Sequence, residues 1–255
     1  MVAASRSARF VAWANAVVLA EASPDEAAIH IQGSDPHHRV DGLPVGANAT
    51  LPVVLAWFAR EQAWTYRLVL PVAGDPVGLP GPGPLAEAAL HAGEAALVAD
   101  ATGPAYGLVP TVAADLVRWT AHLLPSGPLA FGLPSLAEAD RGLATALREA
   151  TERLGRLDVA RLPEHVAERL AALRDGKLDG DGLAPGYPAR ASALLVRARR
   201  LRVVTDLAFT DDGAAITASE AAARRAALSD LERAARHAET AAYNAVFEER
   251  TARSG

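Results

Sequence analysis

The chain has 255 residues and a mass of 26.5 kDa, which is enough for one large domain or two smaller ones. Its net charge of −5 argues against nucleic acid as the main partner, although local basic patches stay open. The absence of cysteine excludes disulfides, cysteine-ligated zinc, iron–sulfur clusters and thiol catalysis. Because alanine dominates the 51% hydrophobic content and aromatic residues make up only 5%, we expect a core of close-packed helices with a modest sheet.

The apolar run at residues 10–20 has two interpretations. Arg6 and Arg9 precede it, as basic residues precede the apolar part of a secretory signal. Against this, Asn15 interrupts the run, and Ser23 marks the start of a second helix directly after it. The run is also shorter than the roughly 18–20 apolar residues of a membrane span. We therefore expect an amphipathic first helix, no membrane partner and a cytoplasmic protein.

Residues 1–133 alternate short periodic segments with proline and glycine turns. Helical spacing predicts four helices, at residues 8–21, 24–32, 50–62 and 85–92. Extended patterns predict five strands, at residues 38–43, 64–72, 95–99, 106–112 and 116–124. In the last of these, Val117 and Trp119 alternate with Arg118 and Thr120, as expected of a half-solvated strand. The pattern predicts a mixed sheet with helices on one face, an α+β or α/β fold.

Residues 134–255 are predicted to be helical and to resemble a bundle. Ser135 and Glu138 form a capping-box pattern at the start of the first helix, whose apolar face would contain Leu136, Leu143, Leu147 and Leu154. Further helices are predicted at residues 162–174, 188–209 and 218–251. The last carries an alanine-rich seam with heptad spacing, formed by Leu228, Leu231, Ala235, Ala238, Ala242 and Ala245. We thus predict a mixed α/β domain at 1–133 and a helical domain at 134–255.

The segment 74–84 is the strongest candidate site in the sequence. It holds four prolines and four glycines, follows the predicted strand 64–72 directly, and ends where Pro84 begins a helix. Fixed loops at strand ends often bind ligands in α/β folds. The candidate ligand-binding residues are Gly74, Asp75, Gly78 and Gly81, together with Arg67 on the strand. The alternative is a rigid structural connection, which the lack of any phosphate-loop pattern favours.

No other motif predicts catalysis, a metal or a cofactor. His37 and His38 are adjacent and would point to opposite sides of an extended chain, so a polar turn is favoured over a metal site. Ser126 lies outside any nucleophile pattern, and Ser135 is better explained as a helix cap. We therefore predict no catalytic residues, no metal and no cofactor.

Arginines are concentrated on the last two predicted helices. They are Arg197, Arg199, Arg200, Arg202, Arg224, Arg225, Arg233 and Arg236. Acidic residues close to them in the sequence favour a solvated, ion-paired face over a nucleic-acid surface, and no aromatic residues alternate with the arginines as in single-strand binders.

Five short runs resemble those of an uncharacterised group of actinobacterial proteins. They are residues 10–16 (FVAWANA), 70–82 (LPVAGDPVGLPGP), 88–95 (AALHAGEA), 107–110 (GLVP) and 242–245 (AYNA). The resemblance implies a host and a family of unknown function. It implies no activity, cofactor or catalytic residue.

These observations leave two main interpretations of function. The first is a non-enzymatic protein that binds a protein partner or a second copy through its C-terminal helices, because the long last helix offers a docking surface. The alternative is a binding protein or enzyme for a small molecule, anionic ligands included, at residues 74–84. A nucleic-acid contact through the arginines is a third and weaker option.

Overall fold

The computed structural model describes residues 4–60, 65–99, 105–124, 132–156, 182–210 and 218–247. The chain divides into two compact units. The sheet unit comprises the described residues of 4–133 together with 183–188 and 243–247, and the helical unit comprises those of 134–182 and 189–242.

The described helices of the sheet unit begin and end at residues that the sequence marks. They are α1 (Arg6–Val18), α2 (Pro24–Gln32), α3 (Leu51–Ala59) and α4 (Pro84–Ala92). Ser5 and Ser23 cap α1 and α2, because their hydroxyls accept hydrogen bonds from Ala8 N and Glu26 N. Gly93 ends α4 in the left-handed conformation (φ 72°), as the sequence predicts.

The described strands form one mixed sheet, which confirms the predicted fold class. They are β1 (His37–Asp41), β2 (Thr65–Val69), β3 (Ala95–Ala99), β4 (Ala105–Ala113) and β5 (Leu116–Leu124), in the order β1-β5-β4-β3-β2. β1 pairs with β5 in parallel, and the other pairs are antiparallel. β2 and β1 are therefore the edge strands.

Helices α1 and α3 cover one face of the sheet through aromatic contacts. Phe10 of α1 lies against Tyr66 and Trp119, with ring centroids 6.0 and 5.2 Å apart. Phe58 of α3 contacts the other side of this cluster, 5.7 Å from Tyr66. All four rings are buried, so this face carries the aromatic core of the sheet unit.

Helix α4 covers the opposite face, so the expectation of helices on one face only is wrong. Leu85 of α4 packs over Gly107 of β4, where a Cβ atom would lie 2.4 Å from Leu85 Cδ1. Val69 and Leu97 belong to the same buried cluster. The central strands β3 and β4 bury side chains on both faces, and such strands require a layer on each side.

Strand β5 follows the predicted alternation only over its first half. Val117 and Trp119 are fully buried and Arg118 and Thr120 are exposed. Leu123, which has the parity of the buried residues, is 70% exposed.

The helical unit contains three described helices, α5 (Leu136–Arg156), α6 (Ala189–Thr210) and α7 (Ala218–Asn244), the last of which extends two residues into the sheet unit. The capping box at the start of α5 is confirmed, because Ser135 N donates to Glu138 Oε2 (2.9 Å) and Glu138 N donates to Ser135 Oγ (3.3 Å). α7 ends earlier than predicted, and Ala245–Phe247 form a 3₁₀ turn. The predicted helix at 162–174 lies outside the described residues.

The predicted seam of α7 is buried. Its members are Leu228, Leu231, Ala235, Ala238, Ala242 and Ala245, and none is more than 5% exposed. On α5 the predicted face is partly wrong, because Leu147 is 41% exposed while Ala139 and Ala150 are buried beside Leu136 and Leu143. Small residues therefore replace leucine at part of the α5 contact surface, which allows close helix packing.

Candidate functional site

The segment 74–84 begins with a tight turn at the end of β2. Val72 N donates to Asp75 O (3.2 Å) and Asp75 N donates to Val72 O (2.9 Å). Asp75 is only 8% exposed and makes polar interactions of its own. The turn therefore holds Asp75 in a fixed position beside the strand end.

Gly78 fits the rest of the segment closely against the core. Its φ is +93°, and a Cβ atom would lie 2.5 Å from Val69 Cγ1 and 3.0 Å from Leu133 Cδ2. Gly74 and Gly81 also have positive φ, but a Cβ atom on either would meet no atom of the described residues within 4 Å. Gly78 is thus needed for close packing, whereas Gly74 and Gly81 are needed only for their backbone conformation.

Arg67 is half-buried and lies two positions before Val69, so it points to the same face of the sheet as the Gly78 contact. The structure therefore brings Arg67 and Gly78 to one face, while Asp75 lies in the turn beside it. Ligand binding by these residues stays a prediction.

A second polar cluster connects α1, the α2–β1 connection and β5. Arg6 Nη2 donates to Asp35 Oδ1 (2.6 Å), and Arg9 Nη2 donates to Asp35 Oδ2. His38 Nε2 lies 3.7 Å from Asp35 Oδ2. Trp119 Nε1 donates to His38 Nδ1 (3.2 Å), so the imidazole proton is on Nε2 and faces the carboxylate. The sequence did not predict this cluster.

Burial and the neighbouring charges set the protonation of the cluster. Burial lowers the pKa of His38 from 6.5 to about 4; the charge of Asp35 opposes this shift, while Arg9 and Arg6 reinforce it. Burial alone would raise the pKa of Asp35, but the hydrogen bonds and charges of Arg6 and Arg9 outweigh it and lower the pKa. At neutral pH the imidazole is therefore neutral and the carboxylate is charged.

His37 and His38 point to opposite faces, as expected, but the predicted polar turn is wrong because both lie in strand β1. His37 is exposed and His38 is 2% exposed. Over the described part of the chain, no group of three or more His, Asp or Glu side chains is placed to hold a metal ion.

Five arginines of α6 and α7 form ion pairs, but the expectation of a solvated face is wrong for two of the arginines on these helices. The five are Arg197, Arg199, Arg202, Arg233 and Arg236. Arg199 and Arg236 are buried. Arg199 Nε donates to Glu239 Oε1 (3.2 Å), and Arg202 Nη1 donates to Glu239 Oε2 (2.5 Å), so one carboxylate of α7 joins two arginines of α6. Arg199 and Arg202 thus pair between helices, whereas Arg236 pairs within α7, where its Nε lies 3.2 Å from Glu232 Oε1. Buried arginine requires such partners.

Each pair of described helices in this unit shares an ion pair. Outside the buried network, Arg197 Nη2 lies 2.5 Å from Asp140 Oδ1 between α6 and α5. Arg153 Nη1 lies 3.1 Å from Asp230 Oδ2 between α5 and α7. Both of these pairs are about half exposed, so they add little stability.

A groove lies where the end of α6 meets the start of α7, and we call it the α6–α7 groove. It is shallow and open to solvent. It is lined by Ala208, Phe209, Ala221, Arg224, Arg225 and Leu228. Phe209 is 42% exposed, and Arg224 Nη2 is fixed by donating to Ala208 O (3.0 Å). The groove thus combines an exposed aromatic ring with two guanidinium groups.

Comparison with known families gives a match over most of the chain. The model described as Rv1486c-like protein, N-terminal domain, matches residues 7–131, and that described as Rv1486c-like protein, C-terminal domain, matches residues 137–240. The chain belongs to the Rv1486c-like family. This confirms the resemblance to a family of unknown function, while the actinobacterial host stays a prediction. No curated protein and no solved structure matches the chain.

The Rv1486c-like match therefore assigns no activity, and functional arguments depend on the geometry. Across the described ranges, no helix is both long and apolar enough to cross a membrane. Phe209 is not among the site residues that the sequence predicts. The available signal was that Phe209 is the only aromatic residue of α6, at the end of a helix rich in alanine and arginine.

Proposed function

We propose that the protein is a non-enzymatic binding protein whose C-terminal helices engage an acidic segment of another protein. The observation that carries the proposal is the α6–α7 groove, where Phe209 is 42% exposed beside Arg224 and Arg225. Aromatic residues and arginine are both enriched at protein interfaces.

The groove is not the docking surface that the sequence predicts, which is the last helix with its alanine-rich seam. The alanine-rich seam of α7 is buried within the protein, so it is already occupied by the fold. Leu228 of that seam forms part of the groove but is only 4% exposed. The partner would therefore contact the α6–α7 groove rather than the seam, with Phe209 as the main apolar contact.

The charge around the groove favours an acidic partner. Both charged residues in the lining are arginines, and the described lining contains no carboxylate. Arginine pairs well with carboxylates because its guanidinium donates two parallel hydrogen bonds. A partner segment with Asp or Glu beside an apolar residue would fit both features of the groove.

The test compares two single variants of the full chain, Phe209→Ala and Leu147→Ala. Phe209→Ala removes the exposed ring of the groove, and Leu147→Ala removes an equally exposed side chain on α5 (42% and 41%). Cross-linking in cells followed by mass spectrometry should lose its main protein partner in Phe209→Ala and keep it in Leu147→Ala. The same partners in both variants would contradict the proposal.

The mass measured by light scattering distinguishes a second copy of this chain from another protein as the partner. A wild-type mass of two chains that falls to one in Phe209→Ala would assign self-association to the groove. A monomeric wild type with a Phe209-dependent cross-linked partner supports the acidic protein segment.

Binding of a small molecule at residues 74–84 is the second candidate, and the burial of Asp75 supports it. A carboxylate that is 8% exposed at a strand end is placed as ligand-binding carboxylates often are. In a screen of metabolites and nucleotides, a ligand that raises the melting temperature of the wild type should have no effect on Asp75→Asn or Gly78→Val. If no ligand shifts the wild type, this candidate fails.

A cytoplasmic location is also part of the proposal. It is supported by α1, because Phe10 and Ala14 of the apolar run at 10–20 are buried in the core. Detection of the full-length chain in the cytoplasmic fraction is the expected result, and recovery from the medium would contradict it.

A further inference from the structure

Among the residues that the structure describes, the outer edge of β2 is covered by side chains rather than by a strand. β2 hydrogen-bonds to β3 on one side only, so the backbone groups of Tyr66 and Leu68 point outward. Backbone N–H and C=O groups that form an unpaired row along an edge strand can pair with a strand of another chain. In this protein two asparagine side chains occupy the row, and we call this surface the β2 edge.

Asn244 binds the β2 edge through both atoms of its amide. Leu68 N donates to Asn244 Oδ1 (2.8 Å), and Asn244 Nδ2 donates to Leu68 O (3.0 Å). A residue of a paired antiparallel strand would make the same two hydrogen bonds. The side chain of Asn244 therefore takes the place of one residue of a missing strand.

Asn15 binds the next outward backbone group, the carbonyl of Tyr66. Its Nδ2 donates to Tyr66 O (3.2 Å) and to the hydroxyl of Tyr187 (3.1 Å). The Tyr187 hydroxyl in turn donates to Tyr243 O (2.8 Å), next to Asn244. Burial raises the pKa of Tyr187, so its hydroxyl keeps the proton that this bond needs. The two asparagines are thus joined into one network of hydrogen bonds.

Apolar contacts hold the segment that carries Asn244. Tyr243, Ala245 and Val246 are buried, with exposures of 1%, 0% and 5%. The amide of Asn244 is therefore delivered to the β2 edge by a segment that is itself anchored in the sheet unit.

We propose that Asn244 closes the β2 edge against pairing with a second copy of this chain. The second copy is the fitting occupant because two β2 strands can pair antiparallel about a two-fold axis. In that arrangement each Leu68 would exchange both hydrogen bonds with the Leu68 of the other copy. These bonds replace the two that Asn244 supplies, one for one. Asn244 thus keeps the sheet unit from associating through β2.

The main test is Asn244→Ala in the full chain. Hydrogen exchange at the Leu68 amide should accelerate about tenfold, as expected for the loss of one protecting hydrogen bond. The mass measured by light scattering should rise toward two chains as the protein concentration rises, relative to the wild type at equal concentration. Unchanged exchange at Leu68, or an unchanged mass, would overturn the proposal.

Two further variants distinguish the loss of the Asn244 amide from a loss of packing and from misfolding. Val246→Ala weakens the anchor but keeps the amide, so its mass should match the wild type; a dimer in this variant would refute a specific role for Asn244. Asn244→Asp keeps the acceptor for Leu68 N and removes the donor to Leu68 O. It should give an intermediate increase in mass even if Asn244→Ala is poorly folded.

Cross-linking locates the interface. Because the chain has no cysteine, a single Arg67→Cys substitution gives a unique reactive site on β2. A short bis-maleimide should link two copies when Arg67→Cys is combined with Asn244→Ala, and should not when Asn244 is present. Arg39→Cys on β1, at the other edge of the sheet, should stay unlinked in both backgrounds. Equal linking at both edges would overturn the assignment to β2.

Discussion

The two units bury different kinds of polar groups. In the sheet unit the described buried polar residues are Ser7, Asn15, His38 and Asp75, and aromatic rings fill the core around them. In the helical unit they are Arg199, Thr205, Arg236, Glu239 and Thr240, among alanine and leucine. Three of these four residues of the sheet unit are uncharged at neutral pH, whereas three of the five in the helical unit carry full charges, and Arg199 and Glu239 pair with each other.

This difference follows from the secondary structure that each unit contains. An edge strand leaves outward backbone groups, and a short neutral amide such as that of Asn244 can bind both N–H and C=O. Helices satisfy their own backbone, so the polar groups between them are side chains. Alanine at the contacts leaves room for long arginines to reach a carboxylate on the next helix. The two units should therefore respond differently to mutation and to pH.

The largest expected effect is that of Glu239→Ala in the helical unit. It removes the carboxylate that Arg199 and Arg202 share, and leaves Arg199 buried without this partner. Breaking a buried pair in this way costs about 3–5 kcal/mol of unfolding free energy. Urea denaturation followed by far-ultraviolet circular dichroism measures the loss.

Asp230→Ala is the matched control, because its pair with Arg153 is about half exposed. It should cost less than about 1 kcal/mol. Equal losses in the two variants would mean that burial does not distinguish the two ion pairs, and the contrast between the units would fail.

Acid should weaken the sheet unit through His38. Its pKa is about 4 in the folded protein and 6.5 when unperturbed, so the unfolded chain takes up the proton first. Stability should therefore fall by roughly 3 kcal/mol as the pH drops from 6.5 to 4. Asp35 acts in a separate window, because its lowered pKa gives a stabilisation that is lost only as the pH falls below its usual 3.8.

Tryptophan emission is the measurement, because all four tryptophans lie in residues 1–133 and Trp119 contacts His38 directly. His38→Gln should remove the loss between pH 6.5 and 4, and the exposed neighbour His37→Gln should keep it. A slope that persists in His38→Gln would assign the acid sensitivity to other groups.

The helices and strands are predictable from the sequence because their signals are local. Ser23, Ser135 and Gly93 mark helix ends that the structure confirms, and period-two spacing located the strands. Features that depend on contacts between residues far apart in the sequence are not predictable in this way. The buried state of His38 requires Trp119, 81 positions away, and Leu68 and Asn244 are 176 positions apart.

Dependence on distant residues also explains why the expectation of a solvated arginine face is wrong for part of the helical unit. The sequence showed that arginines and acids were abundant, but not that Arg199 and Glu239 face each other between helices. A polar residue inside an apolar run, as Asn15 is, was the one local sign of a buried network. It predicts a buried partner without identifying it.

Gly78→Ala tests how the segment 74–84 contributes to the sheet unit. The new methyl group would overlap Val69 and adopt a positive φ, and together these should cost about 2–3 kcal/mol. Gly74→Ala also has a positive φ but a Cβ there meets no described atom within 4 Å, so it should cost about 1 kcal/mol. Tryptophan emission during urea denaturation reports both. Equal losses would show that the segment is not packed against the core as described.

The smallest expected effect tests whether the two units unfold separately, which stays a prediction. Ser135→Ala removes the cap of α5 and Ser23→Ala removes the cap of α2, and each should cost about 1 kcal/mol because the lost hydrogen bond is of the same kind. If the units unfold independently, Ser135→Ala shifts a circular dichroism transition that tryptophan emission does not report, and leaves the tryptophan transition unchanged. Ser23→Ala then shifts the tryptophan transition and only the part of the circular dichroism change that coincides with it. Coincident shifts of both signals in both variants would mean one cooperative unit. The different buried groups of the two halves would then stabilise a single fold rather than two.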